Sequence, residues 1–377
     1  MTLILSTLQY VVPFLIVLTV LVFVHEMGHF LVARRNGVRV EVFSIGFGPE
    51  LFGWTDRQKT RWKVSALPFG GYVRMFGDAN AMGSPDDALQ TMTPEERQVS
   101  FHHKRVGQRA AVVVAGPIAN FLLAIVVFAG LFTFVGQPFT SPVVGEVDPW
   151  SAAARAGFMA GDRILSINGS SIERFQQVVQ IVELGLGEPL TVEVAREGKT
   201  VVLHAVPAVI ERHDNFGHNY RIGRLGLRAK GVEYVRHGPL SSLWLATEQT
   251  GSLTFATLKA IGQMIEGTRS TDELQGPIGI GKMAGDMAEG GVVPVIWFLA
   301  VLSLNLGLIN ILPIPMLDGG HLLFYGLEAV RRQPLAPRVQ DYGFRIGLTL
   351  VFLLMVFATW NDLVHLKVIK FVAGLIS

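Results

Sequence analysis

Four stretches of this sequence are long and apolar enough to cross a bilayer, a length of about 20 residues for a helix. They are Leu8 to Ala33, Ala110 to Val135, Gly290 to Leu317 and Tyr342 to Asn361. The second and third carry no charge, and the fourth carries only Arg345. The first is apolar except for His25, Glu26 and His29. Backbone polar groups in lipid must be satisfied within their own segment, so each stretch is expected to be a helix. Composition agrees: 16% of residues are charged, against about 25% in soluble chains. The fold class expected is an α-helical polytopic membrane protein with about four transmembrane helices.

Orientation follows from lysine and arginine, which favour the cytoplasmic side. Arg34, Arg35 and Arg39 follow the first span. Lys104, Arg105 and Arg109 precede the second, and Arg331, Arg332 and Arg338 follow the third. No basic residue precedes Arg34, and none lies between the second span and Arg155. Both termini and the long insert after the second span are therefore expected outside the cytoplasm. The N-terminal segment lacks the basic start and short core of a cleavable signal and reads as a retained anchor. Leu240 to Ile265 is fairly apolar but contains Glu248, Gln249 and Lys259, and a crossing there would invert every later flank. It is expected to be an interfacial amphipathic helix.

The expected divisions are residues 1–35 and 110–136 for the first two spans, with a cytoplasmic loop at 36–109 between them. A folded insert at 143–209 follows, then linker and interfacial helix at 210–289, a third span at 290–320 and a fourth at 342–362. Within the loop, glycine-broken apolar runs at 38–54 and 61–76 suggest short strands or hairpins with exposed apolar side chains, and the polar stretch 80–99 suggests mobility. In the insert, VVGEVDPWSAAARAGFMAGDRILSINGSSI and TVEVAREGKTVVLHAV show turn–strand–turn and alternating patterns. This α+β insert resembles a PDZ domain of the bacterial type, in one copy.

The chemistry sits in HEMGH, residues 25–29. On a helix, residues four apart share a face, so His25 and His29 can reach one ion while Glu26 stands beside it. Three ionisable groups inside an apolar span are by default functional. A catalytic zinc commonly has three protein ligands and one open position. The candidates for the third are Asp318 and His321, in NILPIPMLDGGH at the end of the third span. Asp318 is preferred because a carboxylate beside so apolar a run needs a partner, although an aspartate there can also cap a helix starting at Gly319. Under the four-span reading, Asp318 arrives on the cytoplasmic side at a depth comparable to His25 and His29.

Together HEMGH, GPIAN at 116–120, the PDZ-like insert and NILPIPMLDGGH resemble the site-2 protease family of intramembrane zinc metalloproteases, over essentially the whole chain. Within that family the chain is similar to the bacterial regulator-of-sigma-E protease group, and it departs from the best-known members in having one PDZ-like domain where they have two. The resemblance implies that His25, His29 and Asp318 ligate Zn2+, that Glu26 is the general base and that Asn310 lies near the substrate backbone. It implies that the 41–76 loop is the family's membrane-associated β-hairpin region. It also implies a multi-pass protein of the bacterial inner membrane with its active site near the cytoplasmic side. The expected substrate is a single-span membrane protein, such as a pre-trimmed anti-sigma factor or a remnant signal peptide. The insert would act as a size filter or bind a new C-terminus. The lipid bilayer is a partner, nucleic acid is not expected because no basic stripe is present, and no oligomeric state is defined. A metal transporter, or a PDZ scaffold with a degenerate site, is the competing class. Transporters usually show internal repeats, which are absent, and neither class gives Glu26 a task.

Overall fold

A computed structural model describes residues 2–78, 92–185, 187–213, 219–267, 274–333 and 335–365. The chain forms two compact units, residues 1–129 with 240–377, and residues 130–239.

The helical unit begins with α1 (Thr2–Arg35). It stops where Asn36 N–H donates to the Val32 carbonyl and Val38 N–H to that of Ala33, both at 3.0 Å. Gly37 supplies the left-handed residue between them, at φ 68°. The chain then makes two long ribbons, β1 (Val40–Thr55) and β2 (Arg61–Met75). Their register shows four segments side by side. Residues 50–55 pair with 61–65, residues 61–64 pair on their other edge with 42–45 in ascending register, and 40–45 pair with 71–75. Among the described residues, the free edges are therefore 50–55 and 71–75. An aromatic cluster fixes this sheet to α1. Phe43 stacks on Trp62 at 4.4 Å between centroids, and Phe30 stands edge-on to both, at 5.5 and 4.9 Å.

The turn between the ribbons is tied down by Asp56. It pairs with Arg34, accepts from Trp62 Nε1 at 3.1 Å, and accepts from the backbone of Gln58 and Thr60. Burial pushes this carboxyl up, but the four donors outweigh it and hold it at about 2. The rest of the sheet is bare: Leu51 is 71% exposed and Phe52 64%, with Phe47, Trp54 and Leu67 around them. An apolar patch of that kind marks a surface that meets lipid or another chain.

Of the stretch expected to be mobile, residues 79–91 lie outside the described residues. Pro94–Val99, by contrast, form a helix, α2, with a reciprocal Thr93–Glu96 capping box. The TPEE pattern that looked merely polar is its start signal. Next comes α3 (Val106–Phe134), with Pro117 inside it.

The second unit contains β3 (Gln137–Phe139), β4 (Val144–Val147), α4 (Ala152–Ala156), β5 (Arg163–Ile167), β6 (Ser170–Ser171) and α5 (Phe175–Leu184). It continues with β7 (Leu190–Arg196), β8 (Lys199–Ala205), β9 (Ala208–His213), β10 (Asn219–Arg224), β11 (Leu227–Ala229) and β12 (Glu233–Val235). A four-stranded sheet runs β6-β5-β7-β8, and its strands alternate buried and exposed residues around a core that includes Ile164, Val192, Val194 and Val178. Asn168-Gly169 and Glu197-Gly198 adopt positive φ at both positions, the backbone that two-residue hairpins require.

Residues 210–239, expected to be linker, are strands in part. β11 pairs with β4, β12 pairs with β3, and Leu225 is 3% exposed in the unit's core. The apolar residues of RLGLRA alternate with Arg224, Gly226 and Arg228, and a strand of three residues is too short for that alternation to stand out from charged loop.

The helical unit resumes with α6 (Pro239–Ile265), α7 (Pro277–Glu289), α8 (Val292–Ile311), α9 (Asp318–Arg331) and α10 (Pro337–His365). Among the described residues, four helices are long and apolar enough to cross a membrane: within α1, α3, α8 and α10. α6 is not among them, and its buried residues Ser242, Ala246 and Thr250 form one narrow face while Leu240, Trp244 and Phe255 are exposed. α7 was expected to be linker. It lies on α1, where the Tyr10 ring occupies the space a side chain at Gly285 would need. Its N-terminus donates from Gly276 and Gly279 to the Asp362 carboxylate of α10, at 3.0 and 2.8 Å. The third span was expected to run on to 317 or 320, but α8 stops at Ile311 and a separate helix starts at Asp318. Pro313 and Pro315 account for the break, since each lacks an N–H and disfavours helix in the residue before it.

Candidate metal centre

Two elements build the centre. One turn of α1 places the His25 and His29 rings edge-on, 4.8 Å between centroids, with their Nε2 atoms 3.3 Å apart. Asp318 comes from the first turn of α9. Its Oδ2 lies 3.2 Å from His25 Nε2 and 3.5 Å from His29 Nε2. These three atoms form a nearly regular triangle. Zinc–nitrogen and zinc–oxygen bonds of about 2.0–2.1 Å in tetrahedral geometry put neighbouring ligand atoms about 3.3 Å apart. The triangle therefore has the size of one face of a zinc tetrahedron, with the fourth corner free for a reactant. Asp318 Oδ2 is buried and has no hydrogen bond of proper geometry, which an ion at that face would remedy.

Local backbone explains how Asp318 gets there. After α8, Ile314 N–H bonds to the Leu312 carbonyl at 2.7 Å and Leu317 N–H to that of Ile314 at 3.0 Å, so the chain doubles back. A Cβ on Gly319 would strike the carbonyls of Ile311 and Leu312, and one on Gly320 would strike Ile314 and Pro315. The two glycines let α9 start hard against the end of α8. Leu317 is the N-cap of α9, without a side-chain cap bond, so Asp318 is not the cap that its position in the sequence also allowed. His321 stands outside the ligand cluster and packs its ring against Phe344 at 5.0 Å.

The far nitrogen of each imidazole is also held. His29 Nδ1 donates to the Val112 carbonyl at 2.9 Å, which leaves a lone pair on Nε2. His25 Nδ1 lies 3.1 Å from the side-chain amide of Asn120. Both partners are on α3, which approaches α1 closely because the residues at the seam are small. A Cβ on Gly28 would strike Ala115 and Ala119, and one on Gly116 would strike both imidazoles. Gly116→Ala is therefore expected to displace the rings while changing no ligand. An overpacking cost of about 1–3 kcal/mol corresponds to about 5–150-fold weaker zinc binding. Metal titration of the purified variant in detergent measures it, and wild-type affinity would contradict the packing account.

Glu26 lies within electrostatic reach of His29, His25 and Asp318, and the backbone N–H of Val73 faces its carboxylate. A side chain at Gly71 would meet Glu26 Cγ and Val22. The edge segment 71–75 thus runs beside Glu26. Asn310 lies in the last turn of α8, half-buried, and no hydrogen bond joins it to the triad among the described residues. The sequence reading gave no task to Asn120 or Gly116. Their signal was GPIAN itself: a glycine and an asparagine four apart on an apolar helix, the spacing that faces one neighbour.

Comparison with known proteins adds the following. Residues 13–354 match the model of Peptidase family M50. A protein of Rhizobium meliloti assigned as a zinc metalloprotease is 47% identical, over 96% of this chain and 99% of its own length. Metalloprotease MmpA of Caulobacter vibrioides is 41% identical over 97% and 98%. Protease RseP of Yersinia pestis is 34% identical over 95% of this chain and 99% of its own. Its alignment extends over 459 positions, against 377 residues here, so it carries a domain-sized excess. A PDZ domain of an SdrC-like protein from Listeria monocytogenes is matched at 18% identity and a TM-score of 0.19, over 24% of this chain and 88% of that one, too weak a likeness to bear on the fold.

Proposed function

The chain belongs to peptidase family M50, the site-2 proteases, and is a zinc metalloendopeptidase; from that premise we propose that it hydrolyses peptide bonds within transmembrane segments of single-span membrane proteins. His25, His29 and Asp318 hold the zinc, Glu26 is the general base and Asn310 contacts the substrate backbone. The observation that carries this reading is the triangle of ligand atoms on an apolar span, next to an unpaired sheet edge. Bound there, zinc supplies Lewis acidity, lowering the pKa of water toward about 7 and polarising a carbonyl. Glu26 removes the proton of the attacking water and returns it to the departing amine nitrogen. The Val73 N–H fixes the direction of the Glu26 carboxylate.

A helical substrate hides its peptide bonds in its own hydrogen bonds and must unwind before attack. The edge 71–75 offers backbone partners to the unwound segment, beside Glu26, in the manner of strand addition. Asn310, free of a protein partner among the described residues, is available to the same strand. Proline substitution within the edge at positions other than Val73, whose N–H serves Glu26, is expected to lower cleavage of a helical single-span peptide about 10-fold or more while zinc content stays at the wild-type level, because it disrupts that edge. Unchanged cleavage would sink the strand-addition step. The wider proposal is tested with purified enzyme in liposomes and a single-span peptide, mapping the cut by mass spectrometry. Cuts inside the apolar segment are expected, and cuts confined to its flanks would refute it.

The basic flanks Arg34, Arg35, Lys104, Arg105, Arg331 and Arg332 support an orientation with these ends in the cytoplasm and the insert outside. The bare apolar face around Leu51 and Phe52 supports membrane association of the sheet. For the insert, read as PDZ-like, exclusion of untrimmed substrates is preferred. A second reading has its own observation: a groove of about 280 Å³ between α5 and β11, walled by Phe175, Val178, Val182 and Leu225, with Arg224 ion-paired to Asp148 beside them. An apolar-walled slot suits the last residues of a peptide.

A further inference from the structure

His29 and His25 are held differently, and the difference assigns a task to Asn120. The partner of His29 Nδ1 is the backbone carbonyl of Val112, which can only accept. That ring carries a proton on Nδ1, and Nε2 is the nitrogen that faces the triangle. The partner of His25 Nδ1 is a side-chain amide, which can either donate or accept.

Asn120 is 0% exposed, and its side-chain oxygen has no partner among the described residues. As it stands, Nδ2 faces His25 Nδ1. A proton donated there requires a lone pair on Nδ1 and puts the ring's own proton on Nε2, which lies 3.3 Å from His29 Nε2. A ring so protonated cannot ligate zinc through Nε2. Rotating the amide by half a turn exchanges two nearly isosteric ends. Nδ1–H then donates to Oδ1, and the lone pair of Nε2 faces the triangle.

We propose that Asn120 is the positioning residue for His25: with zinc bound it presents Oδ1 to His25 Nδ1–H. The inference rests on the zinc reading of the triad. Asn120 is itself anchored from a third helix, since Ser303 Oγ of α8 donates to its backbone carbonyl at 2.8 Å, so the amide turns on a fixed stem. Aspartate, an acceptor at the same reach, can take that role; leucine, of similar size, cannot.

The test uses the purified full-length protein with selectively 15N-labelled histidine. In the zinc-loaded wild type, both zinc-responsive imidazoles are expected to carry their proton on Nδ1. A zinc-responsive ring with an unprotonated Nδ1 would overturn the proposal, and no zinc-responsive ring at all would instead overturn the zinc reading. Zinc titration of variants gives the second readout. Asn120→Leu is expected to bind zinc about 10–100-fold more weakly, the usual effect of losing a ligand's supporting partner, and Asn120→Asp to restore wild-type affinity. A leucine variant with an unchanged thermal transition and unchanged zinc affinity would overturn the assignment, as would an aspartate variant that folds and fails to hold zinc. If leucine prevents folding, the aspartate titration and the wild-type spectrum still decide.

Discussion

Glu26→Gln is expected to keep one zinc per chain and to lower the cleavage rate about 10²–10⁴-fold. Glutamine preserves size and can still receive the Val73 N–H, so the fold and the ligand triangle stay intact. What it lacks is a group that takes a proton from water. Metal analysis and single-turnover cleavage on the same preparation separate the two properties. Loss of zinc in this variant would make Glu26 part of the binding site, and full activity would move the base elsewhere. In cells, membrane proteomes with and without the substitution are expected to differ in accumulated single-span fragments, which would name the substrates.

Asp318→Ala is expected to abolish zinc binding at micromolar metal, whereas His321→Ala is expected to retain it. The two residues sit one helical turn apart and were both plausible ligands on sequence grounds. The structure separates them by direction: Asp318 Oδ2 closes a triangle with two imidazole nitrogens, and His321 faces Phe344. Removing Asp318 leaves only two ligands in an apolar span, too few for a tight site. Retained zinc in Asp318→Ala, or lost zinc in a folded His321→Ala, would reverse the assignment.

Much of this centre could be read from the sequence because its constraints are local or chemical. The spacing of His25 and His29 is a property of one helix turn. An aspartate after a proline-broken apolar run is conspicuous because lipid makes charge costly. What could not be read depends on contacts between segments far apart in the chain. Nothing near Gly116 says that two imidazoles lie against it, and nothing near Asn120 says that its amide meets His25. α7 was missed because its glycines lower helix propensity, and its stability comes from Tyr10 and from Asp362, 86 residues from Gly276. The strands after residue 210 were missed because three-residue strands carry too little pattern. The four-segment sheet was legible only as hairpins, since the ascending pairing of 42–45 with 61–64 has no local signature.

The position of Asp318 has a consequence for cohesion. Its partners lie on α1, near the other end of the chain, and the whole second unit is threaded between them. Lipid gives helices little reason to associate, because acyl chains are as apolar as the side chains they would replace. Zinc on the proposed ligands would therefore act as a clasp that turns the polypeptide into a closed ring, and unfastening it would release α9 from α1. Metal affinity and the integrity of the helical unit would be coupled through that clasp, so each would stabilise the other by the same free energy.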